Sequence, residues 1–333
     1  MRWLCPLICL AAAAQSPQRQ VQSTRGFAAL WDFVKRDAQG RFDAYQPSRS
    51  HYDLHLDAIN YVREFWNQGR AATYDDFPVH PEGPFGQSIE IRAEADPNFR
   101  PLLQVDRARL HNTRIDVKGR NSSVSVVVWL KRTSGEHAIA GIWHEGTDLG
   151  GASRVQRGQR QYALFAGLAA NRGAVAAHIS ENGAHSFGDK YARNLAVTPE
   201  TLPAKWIAAG FTFDNARDTL TAYYDGHATE LWIDNPQSHP FFQWVARAWA
   251  SGEYKPPKAF TKLSATGELA ALRVNPYWFP HDIYTPPQDA GGPFTIGRVI
   301  HTGRSVGFTG LIGGVAIFDR ALSPREMQRL AAM

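Results

Sequence analysis

The sequence predicts an all-β protein folded as an antiparallel β-sandwich, and three observations favour this fold class. Between residues 206 and 226, apolar and polar side chains alternate with period two on both sides of a break at 214–218, and the second run stops at the hairpin dipeptide Asp225-Gly226. The run 122–130 is rich in β-branched residues, as central strands are. Twenty prolines and 28 glycines among 333 residues favour short strands and turns over long helices.

Strand-like runs recur along the chain at short and regular spacing. They do not alternate with helical patterns in the way that a parallel sheet requires, so we expect the strands to pair antiparallel. The residues predicted as strands are 29–35, 88–92, 102–105, 122–130, 137–144, 162–168, 175–179, 206–213 and 219–224.

Two segments depart from the strand pattern. Residues 54–65 place apolar side chains at roughly helical spacing, which predicts a short N-terminal helix packed on the sandwich. Residues 231–292 are rich in aromatic side chains and proline, which predicts a long insertion covering one end or face of the sandwich. Its aromatic side chains suit either a platform that stacks sugars or the internal packing of a long loop.

The central hairpin and the C-terminal segment resemble a known fold family. A Trp entering a strand, a Leu-x-x-Tyr strand and the Asp225-Gly226 turn are similar to the middle of laminin-G-like, or concanavalin A-like, jelly rolls. Residues 308–323, FTGLIGGVAIFDRALS, resemble the family's closing strand, turn and start of a short helix, and weaker matches lie at 30–33 and 83–89. The resemblance implies a single jelly-roll domain over 27–333, in a family that contains lectins, glycan hydrolases and protein-binding modules.

The resemblance has one departure and one implication for metals. Gly313 stands where the family usually has an acidic residue, so no role of that carboxylate is carried over. Laminin-G-like domains often bind calcium at a sandwich edge, which implies Asp214, Asp218 and Asp225 as candidate Ca²⁺ ligands. Turn formation explains the same three residues without a metal, and no cofactor is certain.

The first fourteen residues are typical of a secretory signal peptide. Arg2 precedes an apolar run to Leu10, and the small residues 11–14 follow it. The run is too short to span a membrane, and both cysteines of the chain, Cys5 and Cys9, lie inside it. We therefore expect a secreted protein, extracellular or periplasmic, whose mature chain has no disulfide and no thiolate site.

The charge distribution argues against a nucleic-acid partner. The formal net charge is +5 and only 20% of the residues are charged. Lys and Arg form no long run of the kind that follows a phosphate backbone. We expect instead a glycan or another extracellular ligand.

The densest polar groups follow the ends of two predicted strands. An aromatic ring next to carboxylates and imidazoles can stack on a sugar and accept hydrogen bonds from its hydroxyl groups. If the two strands are neighbours, these groups converge. We predict a ligand site formed by Trp143, His144, Glu145, Asp148, His178, Glu181, Asn182, His185 and Asp189.

Three functions remain open at this point. The leading hypothesis is a secreted sandwich that binds carbohydrate or another extracellular ligand and has no catalysis of its own. The alternative is a glycoside hydrolase or polysaccharide lyase on the same fold, with Glu145 and Glu181 as catalytic carboxylates. Against it, the Glu-x-Asp-x-x-Glu pattern of related glucanases is absent, and the nearest acidic pair is Glu90 and Glu94. A divalent metal such as zinc at the imidazoles, or an adhesion module that contacts protein, are further possibilities.

Overall fold

The computed structural model describes residues 15–135, 138–145, 158–167, 173–183, 195–239, 242, 244–287, 290–300 and 307–333. The predicted signal peptide, residues 1–14, lies outside them. Within the described residues the chain forms eighteen strands: β1 (Phe27–Trp31), β2 (Asp57–Asn60), β3 (Val79–His80), β4 (Ser88–Ile91), β5 (Pro101–Val105), β6 (Val124–Gly135), β7 (Ala138–His144), β8 (Gln159–Ala166), β9 (Ala174–Ile179), β10 (Leu195–Thr201), β11 (Ile207–Asp214), β12 (Thr219–Tyr224), β13 (Leu231–Asp234), β14 (Thr261–Leu263), β15 (Leu269–Asn275), β16 (Tyr277–Trp278), β17 (Phe294–Ile296) and β18 (Phe308–Phe318).

Helices are few and short. Among the described residues none is long and apolar enough to cross a membrane. The α-helices are α1 (Pro17–Gln22), α2 (Tyr61–Trp66), α3 (Arg107–Leu110), α4 (Val245–Ser251) and α5 (Pro324–Ala331).

The strands form two antiparallel sheets. The first has the order β13-β15-β16-β12-β11-β6-β18-β4-β3, with β1 paired to β18 and β14 paired to β15. The second has the order β10-β9-β8-β7-β17-β5-β2. Each pair of strands is antiparallel. The prediction of an all-β antiparallel sandwich is therefore confirmed.

The main core lies between the two sheets, and the two-residue period of the strands builds it. On β11 the side chains of Ala209, Phe211 and Phe213 are fully buried in this core. Tyr162 of the second sheet meets Phe211 across the interface, with ring centroids 6.5 Å apart. Thr212 lies on the opposite face of β11, as alternation requires.

The central hairpin has the predicted geometry. β11 and β12 pair in register from Ala209 opposite Tyr224 to Asp214 opposite Thr219. Asp225 and Gly226 both have positive φ angles, +47° and +75°, which is what a two-residue hairpin turn needs. The hairpin thereby places Asp225 at the same end of the first sheet as the start of β11.

Two helices cover part of the outer face of the first sheet. α5 begins at the N-cap Ser323, whose side chain forms a capping box with Glu326. Met327 and Leu330 of α5 pack in a second apolar cluster with Val21 of α1 and Trp129 of β6. The short helix that the family resemblance implies after residue 323 is present.

The predicted helix over 54–65 is wrong in its first half. The chain forms β2 first, which pairs with β5, and α2 follows from Tyr61. Asn60 explains the change, because its Oδ1 accepts hydrogen bonds from Val62 N at 3.2 Å and from Arg100 N at 2.9 Å. The same side chain thus caps the helix and holds it to the segment before β5, which periodicity alone does not reveal.

Residues 231–292 are more regular than an unstructured loop. They contain β13 to β16 and α4, and β16 extends the first sheet by pairing with the start of β12. An edge strand offers unpaired backbone groups, and here the insertion covers them. Five of its aromatic side chains are buried in the main core, and Trp249 and Trp278 pack against that core; the five are Phe242, Trp244, Tyr254, Tyr277 and Phe279.

Candidate functional site

Three strands of the second sheet bring most of the predicted site residues to one end. β7 ends at His144, which pairs with Gln159 at the start of β8. Ser180, just after β9, donates from its backbone N to the Gln161 carbonyl at 2.9 Å. Segments 143–145 and 178–182 therefore flank the start of β8. Three of the predicted site residues, Asp148, His185 and Asp189, lie outside the described residues.

Trp143 lies inside the protein. Its side chain is 2% exposed, and its ring meets Phe165 and His178 edge-on at centroid distances of 5.7 and 5.2 Å. Its Nε1 donates a hydrogen bond to Glu145 Oε1 at 2.9 Å. The ring is a core side chain, contrary to the exposed stacking surface that the sequence led us to expect, because its neighbours on the same face are buried as well.

Glu145 belongs to a buried ion pair. The Arg160 guanidinium is fully buried, with Nη2 3.5 Å from Glu145 Oε2 and its carbon 5.8 Å from the centre of the Trp143 ring. Buried charges are tolerated when they are paired, and removing one partner is strongly destabilising. These contacts give Glu145 and Arg160 a structural role at the ends of β7 and β8.

His144 is held in its neutral form. The pKa of this imidazole is lowered to about 4, first by burial and then by the charge of the Arg160 guanidinium, while Glu145 acts in the opposite direction. The ring packs beside Phe65, with centroids 5.7 Å apart. At neutral pH His144 therefore offers a ring nitrogen without a charge.

Glu181 and Asn182 follow β9 at the more open side of this end. Glu181 Oε2 lies 2.7 Å from His281 Nδ1. Backbone N of Tyr284 donates to the Ser180 carbonyl at 2.7 Å, which ties the insertion to the same strand end. The assignment of Glu145 and Glu181 as catalytic carboxylates stays a prediction.

The described residues contain no group of three or more His, Cys, Asp or Glu side chains that could hold a metal ion. The three candidate calcium ligands occupy turns. Asp218 and Asp225 have positive φ angles, and Asp214 precedes a short 3₁₀ turn, with Arg217 Nε 3.7 Å from its carboxylate. Their observed contacts are those of turn formation.

A different site opens at the outer face of the first sheet, and we call it the Trp206 pocket. It has a volume of about 440 Å³, within the range of small-ligand sites. The start of β11 and the turn after β12 contribute to it, together with the segment before β4 and the end of α5. Its lining residues are Glu82, Gly83, Pro84, Trp129, Trp206, Ile207, Asp225, Ala331 and Met333.

The Trp206 pocket combines an indole with two carboxylates. Trp206 is half-buried, and its Nε1 donates to Glu82 Oε2 at 3.1 Å. Lys131 Nζ lies 3.4 Å from the same oxygen. The hydrogen bond from Trp206, and then the charge of Lys131, lower the pKa of Glu82, which keeps it ionised at neutral pH. Asp225 accepts from Ala208 N at 3.4 Å and supplies the second carboxylate.

Gly313 fits tightly under this pocket. A Cβ atom there would lie 2.9 Å from Pro84 Cδ and 3.0 Å from the Trp206 ring. Real Cβ atoms essentially never approach a neighbour within 3.0 Å, so a side chain at this position would require Pro84 or the indole to shift. Glycine at this position lets the ring lie against β18.

Sequence patterns alone do not predict the Trp206 pocket. Glu82 and Trp206 are 124 residues apart, and their contact depends on the path of the chain from β3 to β4. The sequence features that could have indicated this pocket are Trp206, an aromatic residue just before β11, and Asp225, in the turn after β12. Period-two alternation indicates which face of its own sheet a residue occupies, and it does not indicate which distant segment packs against that face.

Comparisons with known proteins give distant likenesses. No protein-family model and no curated protein sequence matches the chain. Domain 4 of AbnA, a GH43 extracellular arabinanase from Geobacillus stearothermophilus in complex with arabinotriose, has a TM-score of 0.46 at 12% identity, over 92% of this chain and 98% of that one.

Two further solved structures show the same level of similarity. The Ruminococcus gnavus IT-sialidase CBM40 bound to α2,3 sialyllactose has a TM-score of 0.41 at 11% identity, over 73% of this chain and 95% of that one. The binding domain of Botulinum Neurotoxin DC in complex with SialylT has a TM-score of 0.42 at 9% identity, over 91% of this chain. This chain spans about half of the neurotoxin domain's length, 49%. At such distance the ligands of those proteins do not identify a ligand of this chain.

Proposed function

We propose that this protein is a secreted carbohydrate-binding β-sandwich of the laminin-G-like, or concanavalin A-like, type, which has no catalysis of its own and binds a sugar in the Trp206 pocket. The observation that supports this most is the pairing of the half-exposed Trp206 indole with Glu82, beside the Asp225 carboxylate. A pyranose has an apolar C–H face and an edge of hydroxyl groups. The indole suits the face, and the carboxylates accept hydrogen bonds from the edge.

The pocket is also preorganised. Glu82 holds the indole nitrogen, Gly83 and Gly313 lie beside the ring, and Trp129 is fixed by a hydrogen bond from its Nε1 to the Leu330 carbonyl at 3.0 Å. A side chain that is already held in place loses little conformational entropy on binding. The site is therefore suited to recognise a ring-shaped polar ligand without rearrangement of its walls.

A glycan panel followed by calorimetry tests the proposal. With any oligosaccharide that the wild type binds, we expect Trp206→Ala to weaken affinity by about 30-fold, the size typical of an aromatic anchor. Glu82→Gln and Asp225→Asn should each weaken it by about tenfold. Asn tolerates the positive φ at position 225, so the second variant preserves the turn.

Trp249→Ala is the matched control, because Trp249 is another half-buried indole and lies in α4, away from the pocket. Its affinity for the sugar should equal that of the wild type. Unchanged affinity in Trp206→Ala, with the fold checked by thermal unfolding, would move the site elsewhere. Absence of binding to every glycan in the panel would contradict the function itself.

A further inference from the structure

A second cavity lies on the outer face of the first sheet, near the other end of α5. We call it the hydroxyl groove. Its volume is about 750 Å³, and it separates the insertion from the turn that precedes α5. The Trp206 pocket contacts Ala331 at the end of α5, whereas the groove contacts Ser323 and Pro324 at its start. The lining of the groove includes Thr212, Thr221 and Tyr223 on the floor and Arg217, Phe260 and Arg273 on the walls.

The floor of the groove is a row of hydroxyl groups. Thr212 and Thr221 are opposite each other on β11 and β12, and Tyr223 is the next outward-facing residue on β12. These three side chains are only 4%, 7% and 4% exposed, although they face away from the main core. Burial raises the pKa of the Tyr223 phenol, and a hydrogen bond with Thr212 acts in the opposite direction. Polar groups buried at the bottom of a groove suit a polar ligand.

The walls of the groove carry guanidinium groups. Arg217 is highly exposed, and the carboxylate nearest to its Nε is that of Asp214 at 3.7 Å. Arg273 stands on β15 with its guanidinium 5.6 Å from the Phe260 ring and Nη2 3.0 Å from Glu230. The third guanidinium, that of Arg320, is occupied by the Arg25 and Ala321 carbonyls and by Glu326.

Arg273 has an unused donor. Its Nε is buried and makes no hydrogen bond among the described residues. Such groups are rare in native proteins, since an unpaired buried donor costs stability. Among the described residues that line the groove, Asp214 is the one carboxylate, and it is already close to Arg217. The groove thus offers planar cationic donors beside hydroxyl groups and one aromatic ring.

We propose that the hydroxyl groove is a second ligand site, which binds a sugar unit bearing an oxyanion, either the carboxylate of a uronate or a sulfate. Arg273 and Arg217 bind the oxyanion, since guanidinium groups match its geometry with paired donors. The threonine hydroxyls and Tyr223 bind the sugar hydroxyls, and Phe260 contacts the ring. This site does not depend on the Trp206 pocket, because the two cavities share no lining residue.

Affinity electrophoresis in native gels tests the site. Gels contain polygalacturonate, heparin or neutral dextran, at low salt so that charge interactions are not screened. We expect the wild type to be slowed by at least one of the two acidic polymers and not by dextran. Slowing by polygalacturonate alone identifies the carboxylate as the ligand group, and slowing by heparin alone identifies the sulfate.

Arg217→Gln and Arg273→Gln should each weaken retention on the acidic polymer by about tenfold, the loss expected for one charge-assisted contact. Arg120→Gln is the matched control, since it removes the same charge from a highly exposed side chain outside the groove. It should change retention by less than about twofold. Trp206→Ala should bind the acidic polymer as the wild type does.

Four results would overturn the proposal. They are no slowing by either acidic polymer, equal slowing by dextran, an effect of Arg120→Gln as large as that of Arg217→Gln, or loss of acidic binding in Trp206→Ala. Because Arg217 is exposed, we expect Arg217→Gln to fold. Its retention on the acidic polymer therefore tests the proposal even if Arg273→Gln does not fold. If the groove proposal fails, the proposal of sugar binding in the Trp206 pocket still stands, since it is tested separately with Trp206→Ala and Glu82→Gln.

Discussion

At the scale of single residues, the end of the second sheet holds charge where water is excluded. Arg160 is fully buried and the Glu145 side chain is 10% exposed. A lone charge in such surroundings would cost several kcal/mol, so both groups need each other and the indole of Trp143. His144 is next to this pair and stays neutral for the same reason. Protonation of His144 in acid would therefore add a third charge beside the Glu145–Arg160 pair.

His144 predicts a loss of stability in mild acid. In the unfolded chain a His has a pKa near 6.5, and in the folded protein this one is about 4. Below pH 6.5 the unfolded chain takes up a proton that the folded protein does not, so stability falls between pH 6.5 and 4 and levels off below. The contribution lost by pH 4.5 is about 2 kcal/mol.

Urea unfolding at pH 7 and pH 4.5 measures this, with His144→Gln as the reference. The free energy of unfolding should fall more for the wild type than for His144→Gln, and the difference isolates the imidazole from all carboxylates. Equal losses in both proteins would mean that the imidazole titrates normally in the folded state.

At the scale of secondary structure elements, α5 depends on its first turn. Ser323 Oγ accepts a hydrogen bond from Glu326 N at 3.3 Å, and Glu326 Oε2 accepts one from Ser323 N at 2.8 Å. Burial alone would raise the pKa of Glu326, but Arg320 and Ser323 outweigh it and lower the pKa to about 2. An eight-residue helix is too short to be stable by propensity, so this cap and the packing of its apolar face hold it.

We expect Ser323→Ala to lower the free energy of unfolding by about 1 kcal/mol, because it removes one half of the capping box. Gln328→Ala, at an exposed position of the same helix, should change it by less than about 0.5 kcal/mol. The part of the cap that Glu326 supplies is present above pH 4.3, and it is lost as the pH falls towards 2. Chemical denaturation at pH 7 and pH 3 checks both statements, and a fully stable Ser323→Ala would contradict the first.

Sequence patterns predicted the elements better than their partners. Period two located the strands of the central hairpin, and a run of β-branched residues located β6, each to within about five residues. Helical spacing failed at 57–60, since pairing with β5 overrode the local preference. The cavities escaped prediction because they join distant segments, such as Glu82 with Trp206 or Phe260 with Arg217. Trp143 was misjudged because a Trp at a strand end has the same pattern whether it is buried or exposed.

At the scale of the whole molecule, the insertion and the sandwich share one core. Leu272 and Val274 of β15 belong to the same buried cluster as Phe213 of β11 and Val126 of β6. Phe279 meets Phe213 with ring centroids 5.8 Å apart. The described residues of 231–292 thus form no separate apolar cluster, and Arg273 and Phe260 of this segment line the hydroxyl groove.

One cooperative unfolding transition is therefore expected for residues 15–333. Differential scanning calorimetry should give a calorimetric enthalpy close to the van't Hoff enthalpy. Leu272→Ala should lower the midpoint of that single transition, with a cost of about 2 to 5 kcal/mol for a fully buried Leu. Two resolved transitions, with only one of them moved by Leu272→Ala, would show that the insertion unfolds by itself.

The packing of α1 beside α5 has a topological consequence. Gln20 Nε2 donates to the Arg329 carbonyl at 2.8 Å, and Arg329 Nη2 donates to Thr24 Oγ1 at 2.8 Å, so the two ends of the described chain lie together on one face of the first sheet. A short linker can join them without crossing the sandwich. The β14 to β15 turn offers a place for new ends, since nothing lies within 4 Å of a Cβ built at Gly267. We therefore expect a circular permutant, with the present ends joined and new ends in the β14 to β15 turn, to keep the same order of strands in both sheets.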